Sequence, residues 1–157
     1  MSPKNNFPNI PLQDVPAPRS QNGKDTYHPV VLVVDDESSI ADTITEILIR
    51  SGYSAQAAYD AESALETALL IPPHMLICDV VLPGMSGIDL AITMRRIFPD
   101  CKIILFSGQA STSDLLAAAN RDGHEFVLLN KPVHPSDLLA RIADGLKPRS
   151  QQPVSVA

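Results

Sequence analysis

Residues 75–87 read MLICDVVLPGMSG. The apolar residues Met75–Cys78 run without alternation into an acid, Asp79. An unbroken apolar run of this length marks a parallel strand buried on both faces, rather than a strand with one wet side. Downstream, Ser86 and Asp89 have the spacing of a helix-start capping pair. The segment therefore predicts a strand, a short connection with a carboxylate at its start, and a helix.

The same unit recurs on either side. Aliphatic runs at Val30–Val34, Ser54–Ala58, Lys102–Phe106 and Phe126–Leu129 predict four further strands. Between them lie helical patterns. Ile40, Ile44, Ile47 and Leu48 recur at helical spacing and Gly52 follows as a stop. Asp60 is expected to cap a helix carrying Leu65, Ala68 and Leu69. Ser111 and Asp114 form a second capping pair, and Pro135 suits the first turn of a last helix bearing Leu138, Leu139 and Ile142. Five β/α units predict an α/β, doubly wound five-stranded parallel sheet with five helices, since a barrel needs eight. Ligands in such sheets bind at the carboxyl ends of the strands.

Composition narrows the function. The chain has 157 residues, 45% of them hydrophobic, with no Trp and only 4% aromatics, so its core must be aliphatic. The net charge is −6, unevenly spread: residues 30–147 hold sixteen acids against eight bases, or −8. Such a domain lacks the basic footprint of a nucleic-acid binder and is repelled by anionic lipid. No secretory hydrophobic region opens the chain and no apolar run approaches the roughly eighteen residues of a membrane span. A reduced, cytoplasmic setting is expected, with Cys78 and Cys101 as buried thiols. Residues 1–29, with six prolines, read as a Pro-rich disordered tail, residues 30–147 as the domain, and residues 148–157 as a second flexible tail.

If the strands are parallel, Asp35, Asp36, Asp79, Ser107 and Lys131 gather at one edge of the sheet. Three carboxylates brought close together need a counter-charge to stay ionised. A hard divalent cation bound through oxygens supplies it, and such a ligand set suits Mg²⁺. One carboxylate then remains to attack phosphorus, with a lysine and a hydroxyl to bind the other phosphoryl oxygens.

Four segments carry a resemblance to a known family: Val33–Glu37 (VVDDE), Cys78–Gly87 (CDVVLPGMSG), Phe106–Gly108 (FSG) and Asn130–Val133 (NKPV). Together they resemble the receiver domains of two-component response regulators, over about Val30 to Lys147. The resemblance implies a flavodoxin-like fold with strand order 2-1-3-4-5. It implies Asp79 as phosphoacceptor, Asp36 as a direct Mg²⁺ ligand, Asp35 largely through water, and the main-chain carbonyl of Val81 as a further ligand. Ser107 and Lys131 would bind phosphoryl oxygens, and a cis Lys131–Pro132 peptide would aim the lysine inward. The donor would be a sensor histidine kinase or a histidine phosphotransfer protein. No enzyme activity is expected beyond the domain's own phosphoryl transfer and hydrolysis.

With no effector domain expected after residue 147, output is expected through protein–protein contact or onward phosphotransfer, with a phosphorylation-dependent homodimer as one form. One position departs from the family pattern. Leu128 stands three residues before the lysine, where receivers carry Tyr or Phe, and Phe126 lies two residues earlier on the same strand face. Val81 and Gln109 are expected to flank the path of hydrolytic water. Three other readings compete. A haloacid-dehalogenase-type phosphatase needs an acid where Val81 stands. A flavin binder of the same fold class would meet repelling carboxylates at its phosphate. A phosphate-independent interaction module would normally have lost one of the acids or the lysine.

Overall fold

The computed structural model describes residues 27–108, 113–124 and 126–147. Its strands are β1 (Val30–Val34), β2 (Ser54–Ala58), β3 (Met75–Asp79), β4 (Lys102–Ser107) and β5 (Val127–Asn130). They form one parallel sheet in the order β2-β1-β3-β4-β5, as the family resemblance implied. β1, β3 and β4 occupy the middle because their side chains are apolar on both faces. Leu32, Leu76 and Leu105 point into one layer and Val33, Ile77 and Ile104 into the other. β2, built of small residues, is only partly buried and closes one edge.

The helices are α1 (Ser38–Arg50), α2 (Ala61–Leu70), α3 (Gly87–Ile97), α4 (Ser113–Arg121) and α5 (Pro135–Gly145). α2, α3 and α4 cover one face through Ala64, Ala68, Leu90, Met94 and Ala119. α1 and α5 cover the other through Ala41, Leu48, Leu138 and Ile142. Each fully buried Leu or Ile contributes about 1.5–3 kcal/mol to this arrangement.

Local sequence signals set the helix ends. The Asp60 carboxylate accepts from the Ser63 N–H at 2.7 Å, and the Ser86 hydroxyl oxygen accepts from the Asp89 N–H at 3.1 Å. Gly52, just past α1, adopts φ +97°, which a side chain would resist. Pro135 opens α5, where the His134 ring nitrogen accepts from the Ser136 N–H at 3.2 Å. Ser111 of the Ser111–Asp114 capping pair and Gln109 lie outside the described residues, as do residues 1–26 and 148–157 of the two expected tails. The last residues of the N-terminal tail, Tyr27–Pro29, are tied to the domain: His28 Nδ1 lies 2.7 Å from the Gly52 carbonyl, and the Pro29 carbonyl accepts from Ser54 N–H at 3.0 Å.

One expectation needs correction. β5 begins one residue later than the apolar run, because Phe126 turns from the ladder to pack on the α2–α4 layer beneath the Arg95 guanidinium. Leu69, carried by α2 with Leu65 and Ala68, lies off the helix's buried stripe and is 64% exposed. Ala61, Ala64 and Ala68 form that stripe, and one further residue rotates Leu69 about 100° away from Ala68.

Candidate functional site

The carboxyl ends of β1 and β3 bring the acids together. Asp35 follows β1 and is almost fully buried, Asp36 follows it and is exposed, and Asp79 ends β3. Carboxylate oxygens of all three lie within 4.8 Å of one another. Asp36 and Asp79 open onto a cleft of about 260 Å³ lined also by Glu37, Val81, Gly108 and Lys131.

Both oxygens of Asp79 have donors. Oδ1 accepts from the Val81 N–H at 3.0 Å, and Oδ2 accepts from Lys131 Nζ at 2.7 Å. Lys131 also donates to Asp35 Oδ2 at 2.8 Å, while Asp35 Oδ1 accepts from the Glu37 N–H at 3.0 Å. The lysine arrives from β5, a strand that sequence separates widely from both acids, and so it could be placed only by the topology. Burial acts most strongly on its ammonium and by itself would lower the pKa. Hydrogen bonds and charge from Asp35 and Asp79 together outweigh that and hold the pKa above its ordinary 10.5. The resting site thus supplies part of the counter-charge that three clustered carboxylates require.

Ser107 is buried at the end of β4, one place beyond Phe106, the ladder partner of Asp79. Its carbonyl accepts from the Lys131 N–H at 2.9 Å, which joins it to the group through the main chain. The Lys131–Pro132 peptide is cis, as expected. The thiol of Cys78, adjacent to Asp79, is pushed far up by burial first, then by the charges of Asp79 and Asp35. It stays protonated and takes no part as a nucleophile.

Two residues in the quoted motifs had no role assigned from sequence. Glu37 lines the cleft and its backbone orients Asp35. Gly87, the first residue of α3, lies so close to the end of β3 that a Cβ there would stand 1.8 Å from the Asp79 carbonyl oxygen. Its N–H donates to the Val80 carbonyl at 2.8 Å. Gly87 therefore closes the β3–α3 connection against the backbone that carries Asp79. The motif contains the signal, but only the close approach reveals its purpose.

The fold and this cleft define a receiver, and comparison with known proteins agrees. The chain belongs to the response regulator receiver domain family, whose model matches residues 31–143. It is 28% identical over 132 residues to the DNA-binding response regulator MtrA of Mycolicibacterium smegmatis, which covers 84% of this chain and 57% of that protein. It is 31% identical over 111 residues to the nitrogen assimilation regulatory protein NtrX of Azorhizobium caulinodans, covering 69% of this chain and 24% of that one. The crystal structure of a CheY-like receiver domain protein from Methanospirillum hungatei superposes with a TM-score of 0.68 at 29% identity, covering 75% of this chain and 93% of that one. The chain thus spans little more than half the length of the first of these curated relatives. Among the described residues, no helix is long and apolar enough to cross a membrane.

Proposed function

We propose that this receiver accepts a phosphoryl group on Asp79 from a phosphohistidine of a sensor histidine kinase or histidine phosphotransfer protein. The observation that carries the reading is the setting of Asp79. Its carboxylate faces an open cleft, both oxygens are held by N–H donors, and two more carboxylates stand beside it. In the transfer, an Asp79 oxygen forms a bond to phosphorus as the phosphorus–nitrogen bond breaks, and the electron pair leaves with the imidazole. Lys131, already on Asp79 Oδ2, follows the negative charge onto a phosphoryl oxygen. The Ser107 hydroxyl donates to another.

Asp35, Asp36, Asp79 and the Val81 carbonyl form an all-oxygen donor set, and the spacing of the three carboxylates suits one hard dication, Mg²⁺. When bound, Mg²⁺ supplies positive charge that screens the carboxylates from the incoming phosphoryl group. Val81, exposed at the cleft, has no side-chain group to orient a water, which slows hydrolysis of the acyl phosphate relative to a polar residue there. The reaction is the domain's own transfer and hydrolysis, with no turnover of a separate substrate.

A donor protein must bring its histidine to this rim. An apolar groove of about 560 Å³ between α1 and α5, reaching Lys131 and lined by Ile40, Ile44 and Ile47, offers the docking surface. Output passes by protein contact, by phosphorylation-dependent self-association or by onward transfer. The relative MtrA is by name a DNA-binding regulator. For residues 30–147 we assign no nucleic-acid contact, given sixteen acids against eight bases, and we place the chain in the cytoplasm.

The metal assignment is tested with a small phosphodonor and intact-mass measurement across a Mg²⁺ series. Asp36→Ala should need on the order of tenfold more Mg²⁺ than the parent for half-maximal phosphorylation, since one charged ligand is gone. Equal Mg²⁺ dependence in the two proteins would refute the role of Asp36.

A further inference from the structure

Glu37 closes the VVDDE motif, and its backbone N–H is committed to Asp35 Oδ1 at 3.0 Å. Its side chain is not committed. Glu37 is the N-cap residue of α1, yet its carboxylate accepts no N–H of that helix. Among the described residues it forms no ion pair, whereas Asp35 and Asp79 share Lys131. The residue is exposed and lines the cleft beside Asp36, Asp79 and Lys131. The cleft therefore carries one acid beyond the three clustered aspartates. Its surroundings do not neutralise that charge: residues 35–66 hold eight acids and a single base, Arg50, which pairs with Glu46 at 2.6 Å.

An unpartnered carboxylate at the mouth of a site for phosphoryl transfer acts on the charge of whatever enters. Resting on the reading of Asp79 as acceptor, we propose that Glu37 sets which phosphodonors this cleft takes. It favours a nitrogen-linked phosphoryl group whose leaving atom belongs to a cationic group, and it disfavours an acyl phosphate. The residue discriminates by repulsion as much as by attraction.

The chemistry of the two donor classes explains the choice. Attack by Asp79 in line with the breaking bond puts the leaving group on the open side of phosphorus, toward the exposed rim that includes Glu37. With an N-phosphorylated imidazolium, the Asp79 oxygen–phosphorus bond forms, the phosphorus–nitrogen bond breaks, and the electron pair stays on nitrogen. The ring's positive charge is cancelled and neutral imidazole departs without a proton transfer. With an acyl phosphate the pair leaves on oxygen, so a carboxylate departs past a carboxylate. Glu37 attracts the first donor as it binds, and it repels the second increasingly as the bond breaks.

The test phosphorylates the full chain, Glu37→Gln and Glu66→Gln with acetyl phosphate and with phosphoramidate, whose leaving group is an ammonium. Second-order rate constants are read from intact mass at saturating Mg²⁺, which compares each transition state with the free donor. Both donors meet the same metal, so their ratio is insensitive to a change in Mg²⁺ occupancy. Glu37→Gln keeps size and polarity, and should raise the ratio of acetyl phosphate to phosphoramidate on the order of three- to tenfold at low salt. Glu66→Gln removes an equal charge from an exposed position on α2 and should keep the parent ratio. The Glu37→Gln effect should shrink at about 0.5 M salt, which a change of packing would not do. An unchanged or lowered ratio in Glu37→Gln, or an equal rise in Glu66→Gln, overturns the proposal while leaving Asp79 as acceptor. A parent chain phosphorylated by neither donor overturns the reading of Asp79 and this proposal with it.

Discussion

The β3–α3 connection and β5 each deliver one essential side chain to the cleft, Asp79 and Lys131, but their support is unlike. Around Asp79 the backbone is tightly packed: Cys78 and Val80 are fully buried, Gly87 lies against the Asp79 backbone, and the carboxylate is held by the Val81 N–H. β5 has a single ladder partner, and Val127 and Leu128 are 46% and 37% exposed. The proposed acceptor thus stands on packed structure, while Lys131, proposed to follow the phosphoryl group, stands at the end of a lightly covered edge strand. Low local contact density is where a conformational response has least to overcome.

The largest expected effect lies on the packed side. Gly87→Ala forces a methyl group to within 1.8 Å of the Asp79 carbonyl oxygen unless the backbone moves. It should cost about 3 kcal/mol or more in urea unfolding, in line with overpacking against rigid main chain. A loss below about 1 kcal/mol would mean that the connection is as yielding as β5, and the contrast would fail.

Next comes the ion pair that joins the two regions. Lys131 has a raised pKa in the fold, so its contribution is complete below the unfolded value near 10.5 and is lost as pH climbs through the folded value. In chemical denaturation from pH 8 to 11.5, the parent should lose stability above about pH 10.5 by an increment that Lys131→Met lacks. At pH 8, Lys131→Met should be less stable by about 1–3 kcal/mol, discounted for the partial exposure of the lysine, because Asp35 and Asp79 lose their shared donor. Parallel curves for the two proteins across that alkaline range would show that the lysine is not coupled to the carboxylates.

This contrast also marks how far sequence could be read. Residues 75–89 carried their meaning openly, since an apolar run, an acid and a capping pair are local signals. Asp35, Asp36 and Asp79 were placed at one edge by counting strands, and they do converge. Which side of α2 is buried could not be read from its large apolar residues, because the small Ala61, Ala64 and Ala68 form the buried stripe and Leu69 is exposed. Nor could the resting bonds of Lys131, which depend on side chains far apart in the chain. β5 was hardest: its apolar run is shared between three ladder residues, Val127, Leu128 and Leu129, and Phe126, which serves the helical layer and Arg95 instead.

The smallest effect should be found at Leu128. It faces Leu105 across the β4–β5 ladder, yet Leu105 is fully buried. Leu105→Ala should cost about 3 kcal/mol and Leu128→Ala less than about 1 kcal/mol, since little apolar surface leaves water at the second site. Equal losses would place β5 in the core and remove the basis for treating it as the movable element.

The central claim is that Asp79 alone receives the phosphoryl group. The most direct measurement treats the parent and Asp79→Asn with a small phosphodonor and Mg²⁺, followed by intact mass before and after hydroxylamine. The parent should gain the mass of one phosphoryl group and lose it to hydroxylamine, as an acyl phosphate does, while Asp79→Asn should gain none. A hydroxylamine-labile phosphate on Asp79→Asn, at the level seen in the parent, would contradict the account.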